Sequence, residues 1–131
     1  MVELLRELPS ADGSGTFDTS SMNGKPAVVS FFSVTCGACV HEMRHLQAAV
    51  DAHPNTQLVF VAVDGRPQRA LAVVRANGGT APVLTGGGAL ARRLEVTQVP
   101  TTFAIDSAGK TDRVVIGERS RNGLDHLLAK L

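Results

Sequence analysis

Apolar positions along this chain fall into two kinds of run. Residues 27–32 and 57–63 are mostly apolar stretches rich in β-branched and aromatic side chains, which predict buried strands. Elsewhere the spacing is helical. Val40, Met43, Leu46 and Val50 predict a helix over 39–52, stopped by His53-Pro54-Asn55. A second helix is predicted over 67–76, with Pro67 in its first turn and Asn77-Gly78-Gly79 beyond its end. Residues 81–84 read as a short strand, 86–88 as a turn and 89–94 as a helix. Strands over 101–105 and 113–116 flank the turn Asp106-Ser107-Ala108-Gly109 and predict an antiparallel hairpin. A last helix over 122–131 groups Leu124, Leu127 and Leu128 on one face. Residues 1–25 form a lead-in: an apolar stretch at 4–8, then a Gly/Ser-rich loop or irregular hairpin anchored by Phe17 and Met22. The order β, α, β, α, (β), α, β, β, α predicts an α/β fold, a mixed central sheet with helices on both faces.

With 131 residues the chain is expected to form one domain, residues 1–131, and to bury a core without covalent staples. Its 13 basic and 12 acidic side chains leave a formal charge of +1, which provides no footprint for nucleic acid or an anionic membrane. No apolar run is long enough to span a bilayer. The N-terminus lacks the basic and apolar regions of a signal peptide. The expectation is therefore a cytoplasmic protein, or one whose leader or anchor is missing from this chain. Nothing points to an obligate oligomer, so a monomer is expected.

The chemistry concentrates in Cys36-Gly37-Ala38-Cys39, directly after a buried strand and at the start of a helix. Backbone N–H groups at a helix N-terminus stabilise an anion, so a thiolate at Cys36 forms more readily than on a free cysteine. Cys39, three residues on, closes a small disulfide ring. The expected roles are Cys36 as nucleophile and Cys39 as resolving thiol, with Gly37 keeping the turn tight. A loop this small constrains little of the unfolded chain, which argues against a structural staple. Metal binding is the next rival. One CxxC motif supplies two ligands where a structural zinc site uses four. His41 and His45 share a helix face at i, i+4, but no fourth group follows from the sequence, so no metal and no cofactor are expected. Val40 stands where covalent haem attachment needs histidine.

Val99-Pro100-Thr101 stands just before a strand. Proline there is either a trans residue marking the strand's start or a cis residue that leaves the preceding backbone open to an extended peptide beside Cys36. Gly86-Gly87-Gly88 lacks the ending of a phosphate-binding loop and reads as a turn. His53 and His126 read as surface residues. Asp64, at the end of the second strand, either faces the cysteines or caps the next helix, and the cap is the favoured reading.

Three stretches together resemble the TlpA/ResA/DsbE-like branch of the thioredoxin superfamily. The first runs from Gly24-Lys25-Pro26 through Phe32 to Cys36-Gly37-Ala38-Cys39 and Glu42. The second is Val99-Pro100-Thr101-Thr102-Phe103-Ala104-Ile105-Asp106 followed by Gly109-Lys110. The third is the βα insertion at about 66–94. The resemblance covers the chain from about residue 16. It implies a thioredoxin fold and a thiol–disulfide oxidoreductase with Pro100 cis and facing the disulfide. Val99 would tune redox properties, and Thr35, Gly37, Ala38, Val99 and Pro100 would meet the substrate. It further implies an extracytoplasmic location, protein disulfides or dithiols as substrates, and a membrane thiol–disulfide transporter as electron donor. Many members are reductants in cytochrome c maturation.

Several positions depart from that pattern. Thr35 replaces the usual tryptophan, Ala38 the proline between the cysteines, and Arg44 the proline within the first helix. Ser30 stands where thioredoxins keep a buried acid, so the Cys39 proton needs another carrier. Two other classes compete. A thiol peroxidase would need a proline where Val29 stands. A copper chaperone or other binding module on this fold spaces its cysteines four apart and adds a histidine.

Overall fold

The computed structural model describes all 131 residues. Five strands form one mixed sheet in the order β3-β2-β1-β4-β5. They are β1 (Ala27–Phe32), β2 (Gln57–Ala62), β3 (Val83–Leu84), β4 (Thr101–Ile105) and β5 (Thr111–Ile116). β1 runs parallel to β2, with Ala27 opposite Gln57, and antiparallel to β4, with Ala27 opposite Ile105. β4 and β5 form the predicted hairpin, with an irregularity between Ala104 and Ile105.

Side chains alternate across β1 because successive residues of a strand point to opposite faces. Val28 and Phe32 pack with Met43, Leu46, Val74, Leu124 and Leu128, so one face is covered by α2 (Gly37–Asp51), α3 (Pro67–Ala76) and α5 (Arg121–Leu128). Ala27, Val29 and Phe31 pack with Leu5, Phe17, Met22, Leu90 and Phe103 on the other face. There the cover is α1 (Val2–Leu5), a 3-10 turn over Thr19–Met22, and α4 (Gly88–Arg93). With both faces covered, β1 is buried along its whole length, which is why it lacks polar alternation.

The lead-in is held to the sheet as well as anchored by Phe17 and Met22. Pro9 bridges Thr16, and Ser10 bridges Leu84 of β3. Several expected boundaries move, and the last helix, expected over 122–131, spans Arg121–Leu128. α2 begins at Gly37 rather than residue 39, because Cys36 itself is the N-cap. β5 begins at Thr111 rather than residue 113, its first residues exposed and polar at the sheet edge. The strand expected over 81–84 shrinks to Val83–Leu84. α2 runs uninterrupted through Arg44, where the resemblance places a proline.

The glycine turn before α4 has a packing cause. Gly86 sits at φ +71°, and Gly87 N–H donates to the Ala62 carbonyl at 2.9 Å. A Cβ on Gly87 would lie 2.5 Å from Val61 Cγ1 and 2.9 Å from that carbonyl oxygen, so only glycine lets α4 approach the end of β2 this closely.

Candidate active site

Cys36 and Cys39 form a disulfide with their Cα atoms 5.3 Å apart. β1 delivers the chain to this point and α2 starts from it. Cys36 has extended backbone, φ −88° and ψ 109°, and its Sγ accepts the Cys39 N–H at 3.1 Å. A sulfur thus takes the capping place usually held by a Ser, Asp or Asn oxygen. The same N–H and the helix dipole would stabilise a thiolate on Cys36 after reduction. The two sulfurs differ in access: Cys36 is half-buried, whereas Cys39 is 2% exposed inside the core. Gly37 and Ala38 are exposed between them.

The loop ahead of Cys36 is tied down by Asp64. Its carboxylate accepts the Ser33 hydroxyl at 2.7 Å and the Val34 N–H at 2.9 Å. Ser33 Oγ in turn accepts the Thr35 N–H at 3.3 Å and lies 3.2 Å from the Thr35 hydroxyl. The helix-cap reading of Asp64 is therefore corrected. Arg66 is the N-cap of α3 and makes no side-chain cap bond, while Asp64 reaches back toward the cysteines. Gly65 makes the turn possible at φ +81°, where a Cβ would lie 2.8 Å from Val34 Cγ1.

Across the site, the Val99–Pro100 peptide bond is cis. The Val99 carbonyl oxygen lies 3.6 Å from Cys36 Sγ. Pro100 is buried, and its carbonyl accepts the Gly117 N–H at 2.8 Å, which ties this bend to the end of β5. Thr101 Oγ1 donates to the Gln98 carbonyl at 2.6 Å and closes the turn.

α2 also carries, one turn beyond the cysteine pair, a buried acid to which the sequence assigns no role. Glu42 lies three residues beyond Cys39, on the same side of α2, and is 2% exposed. Burial pushes its carboxyl up from the ordinary 4.5 to about 7, with Glu118 adding to the rise and the Arg119 backbone N–H opposing it. That N–H donates to Glu42 Oε2 at 2.6 Å. The signal available in the sequence was an acid inside an apolar stripe, between Cys39 and Met43. The histidines lie outside this arrangement. His41 is exposed and contacts Glu118, with His45 edge-on to it, and His53 Nδ1 lies 2.8 Å from the Ala49 carbonyl.

A family model described as Redoxin matches residues 6–128. The chain belongs to the Redoxin family. Among Redoxin-like relatives, it is 27% identical over 100 residues to sporulation thiol-disulfide oxidoreductase A of Bacillus subtilis (strain 168). That match spans 72% of this chain and 61% of the relative. Its fold is similar to that of a secreted Mycobacterium tuberculosis disulfide oxidoreductase homologous to Escherichia coli DsbE, with a TM-score of 0.86, 24% identity and 98% of each chain covered. It is also similar to M. tuberculosis DsbF in its mixed oxidised and reduced forms, with a TM-score of 0.84, 27% identity, and 99% of this chain and 97% of that one covered. This Redoxin chain therefore has the thioredoxin fold, with its CxxC cysteines joined in a disulfide. No helix is long and apolar enough to cross a membrane.

Proposed function

We propose that this protein reduces disulfides of other proteins in an extracytoplasmic compartment, with Cys36 as nucleophile and Cys39 as resolving thiol. The observation that carries the role assignment is the unequal access of the sulfurs. Cys36 sits half-buried at the helix start, whereas Cys39 is enclosed by the core. In the reduced protein the Cys36 thiolate attacks a substrate disulfide and displaces one substrate thiolate, which takes a proton from water. Cys39 then loses its proton and attacks Cys36 Sγ. The mixed disulfide breaks, the Cys36–Cys39 disulfide forms, and the second substrate thiolate leaves. Two electrons pass from protein to substrate.

In this reading Glu42, the buried acid one turn beyond Cys39 on α2, takes the Cys39 proton. With its carboxyl titrating at about 7, it is readily ionised and reprotonated near neutrality. It fills the role of the acid that β1 lacks, where Ser30 stands. The substrate's extended segment pairs with the backbone ahead of Pro100, and Thr35, Gly37 and Ala38 form the opposite rim. The extracytoplasmic location and the reducing direction rest on the family resemblance, as does the choice of apocytochrome c haem-attachment cysteines as a substrate class. The description of the M. tuberculosis structural neighbour as secreted agrees with the location.

The deciding experiment is the reduction potential of the cysteine pair, read by thiol trapping and mass after equilibration in thiol/disulfide buffers. A value near or below about −270 mV supports a reductant, and one near about −120 mV makes the protein an oxidant. Cys39→Ser is expected to hold substrate in a persistent mixed disulfide on Cys36, and Cys36→Ser to react with none. Exchange by Cys36→Ser would overturn the role assignment.

A further inference from the structure

α4 ends in a way that builds a cleft beside the disulfide. Leu94 is its C-cap, and Glu95 follows with a left-handed backbone at φ 60°. The Glu95 N–H donates to the Arg92 carbonyl at 3.1 Å and the Val96 N–H to the Ala91 carbonyl at 2.8 Å. These are the paired bonds of a Schellman stop, which folds the chain back over the helix it has just left. The returning chain and α4 enclose about 290 Å³, walled by Val63, Gly88, Ala91, Arg92, Val96 and Val99.

Val99 borders the cleft, and its carbonyl oxygen lies 3.6 Å from Cys36 Sγ, so the cleft is one residue from the reactive centre. The N–H groups of Thr97, Gln98 and Val99 make no backbone hydrogen bond, so this edge is open to an extended segment. Gly88 keeps the cleft clear, since a Cβ there would lie 3.0 Å from the Val63 carbonyl oxygen. Arg92 Nη1 would lie 3.7 Å from that added Cβ, so the guanidinium stands beside Gly88 in the lining of the cleft. Arg92 has no ion-pair partner, and no acidic residue lines the cleft. An apolar wall with one free guanidinium suits an aliphatic stem ending in a carboxylate.

We propose that this cleft is a substrate subsite that selects a glutamate or aspartate within two residues of the reactive cysteine. The proposal rests on the oxidoreductase reading above. A segment paired along residues 97–99 places its cysteine at Cys36, and side chains two apart on an extended segment share a face.

The test uses disulfide-linked peptides identical except for Glu, Gln or Lys within two positions of the cysteine, reacted with the reduced protein. The Glu peptide is expected to exceed the Lys peptide by about fivefold in kcat/KM at low ionic strength. That preference should fade in about 0.5 M salt, where exposed charges are screened. Arg92→Glu should invert the order and Arg92→Lys should keep it. Equal rates for the three peptides with the unaltered protein, or a preference that survives Arg92→Glu, would overturn the subsite. Failure of the unaltered protein to react even with the Gln peptide would instead overturn the oxidoreductase reading.

Discussion

Replacing Glu42 by glutamine should stabilise the protein at alkaline pH and leave it unchanged at acid pH. Glu42 is 2% exposed, and its carboxyl is raised from 4.5 to about 7, chiefly by burial. Between those values the native state holds a proton that the unfolded chain has released. Stability therefore falls as pH rises through that window and levels off above it. At 1.36 kcal/mol per unit, the shift corresponds to a penalty on the order of 3 kcal/mol above pH 7. Glutamine keeps an oxygen for the Arg119 N–H and carries no charge to desolvate. The variant is therefore expected to match the parent near pH 4 and to exceed it by about 2–3 kcal/mol near pH 8. The assay is urea unfolding of both oxidised proteins from about pH 4 to 9, followed by far-UV circular dichroism because the chain has no tryptophan. Taking the difference between the two proteins removes the titration of the four histidines common to both. A difference that does not change with pH, or a parent more stable at pH 8, would refute the argument that burial sets this carboxyl.

Three further substitutions test other parts of the framework. Asp64→Ala removes the acceptor of the Ser33 hydroxyl and the Val34 N–H, and is expected to cost about 1–2 kcal/mol in urea unfolding and to slow alkylation of Cys36 in the reduced protein. Gly87→Ala forces a Cβ against Val61 and the Ala62 carbonyl, and should destabilise by about 1–3 kcal/mol in thermal or urea unfolding. Glu95→Gly relieves the left-handed strain at φ 60° and is expected to be neutral or stabilising by up to about 1 kcal/mol, whereas Glu95→Val should destabilise.

The sheet could be read from sequence because β1, β2 and β4 are rich in β-branched and aromatic residues with no apolar/polar alternation, as a core on both faces requires. The cysteine site could be read for the same reason: the motif falls where a buried strand must give way to a helix. What escaped depends on partners far along the chain. The start of α2 was misplaced by two residues because a cysteine sulfur does the capping. Asp64 was assigned to the next helix, whereas its partners Ser33 and Val34 lie about thirty residues earlier. Glu42 went unassigned because its hydrogen-bond donor, Arg119, is 77 residues away, and periodicity carries no information at that range. The left-handed Glu95 is equally silent, since that conformation is usually announced by glycine or asparagine.

The segment between β2 and β4 meets the surroundings of the disulfide at both of its ends: Asp64 binds the Ser33–Val34 loop ahead of Cys36, and the Val99 carbonyl oxygen lies 3.6 Å from Cys36 Sγ. Between those ends it is also built into the sheet through β3, and Gln47 of α2 accepts the Thr80 and Ala81 N–H groups. Substitutions on its exposed surface, rather than exchange of the whole stretch, would alter the face presented beside the cysteine pair while leaving these anchors in place.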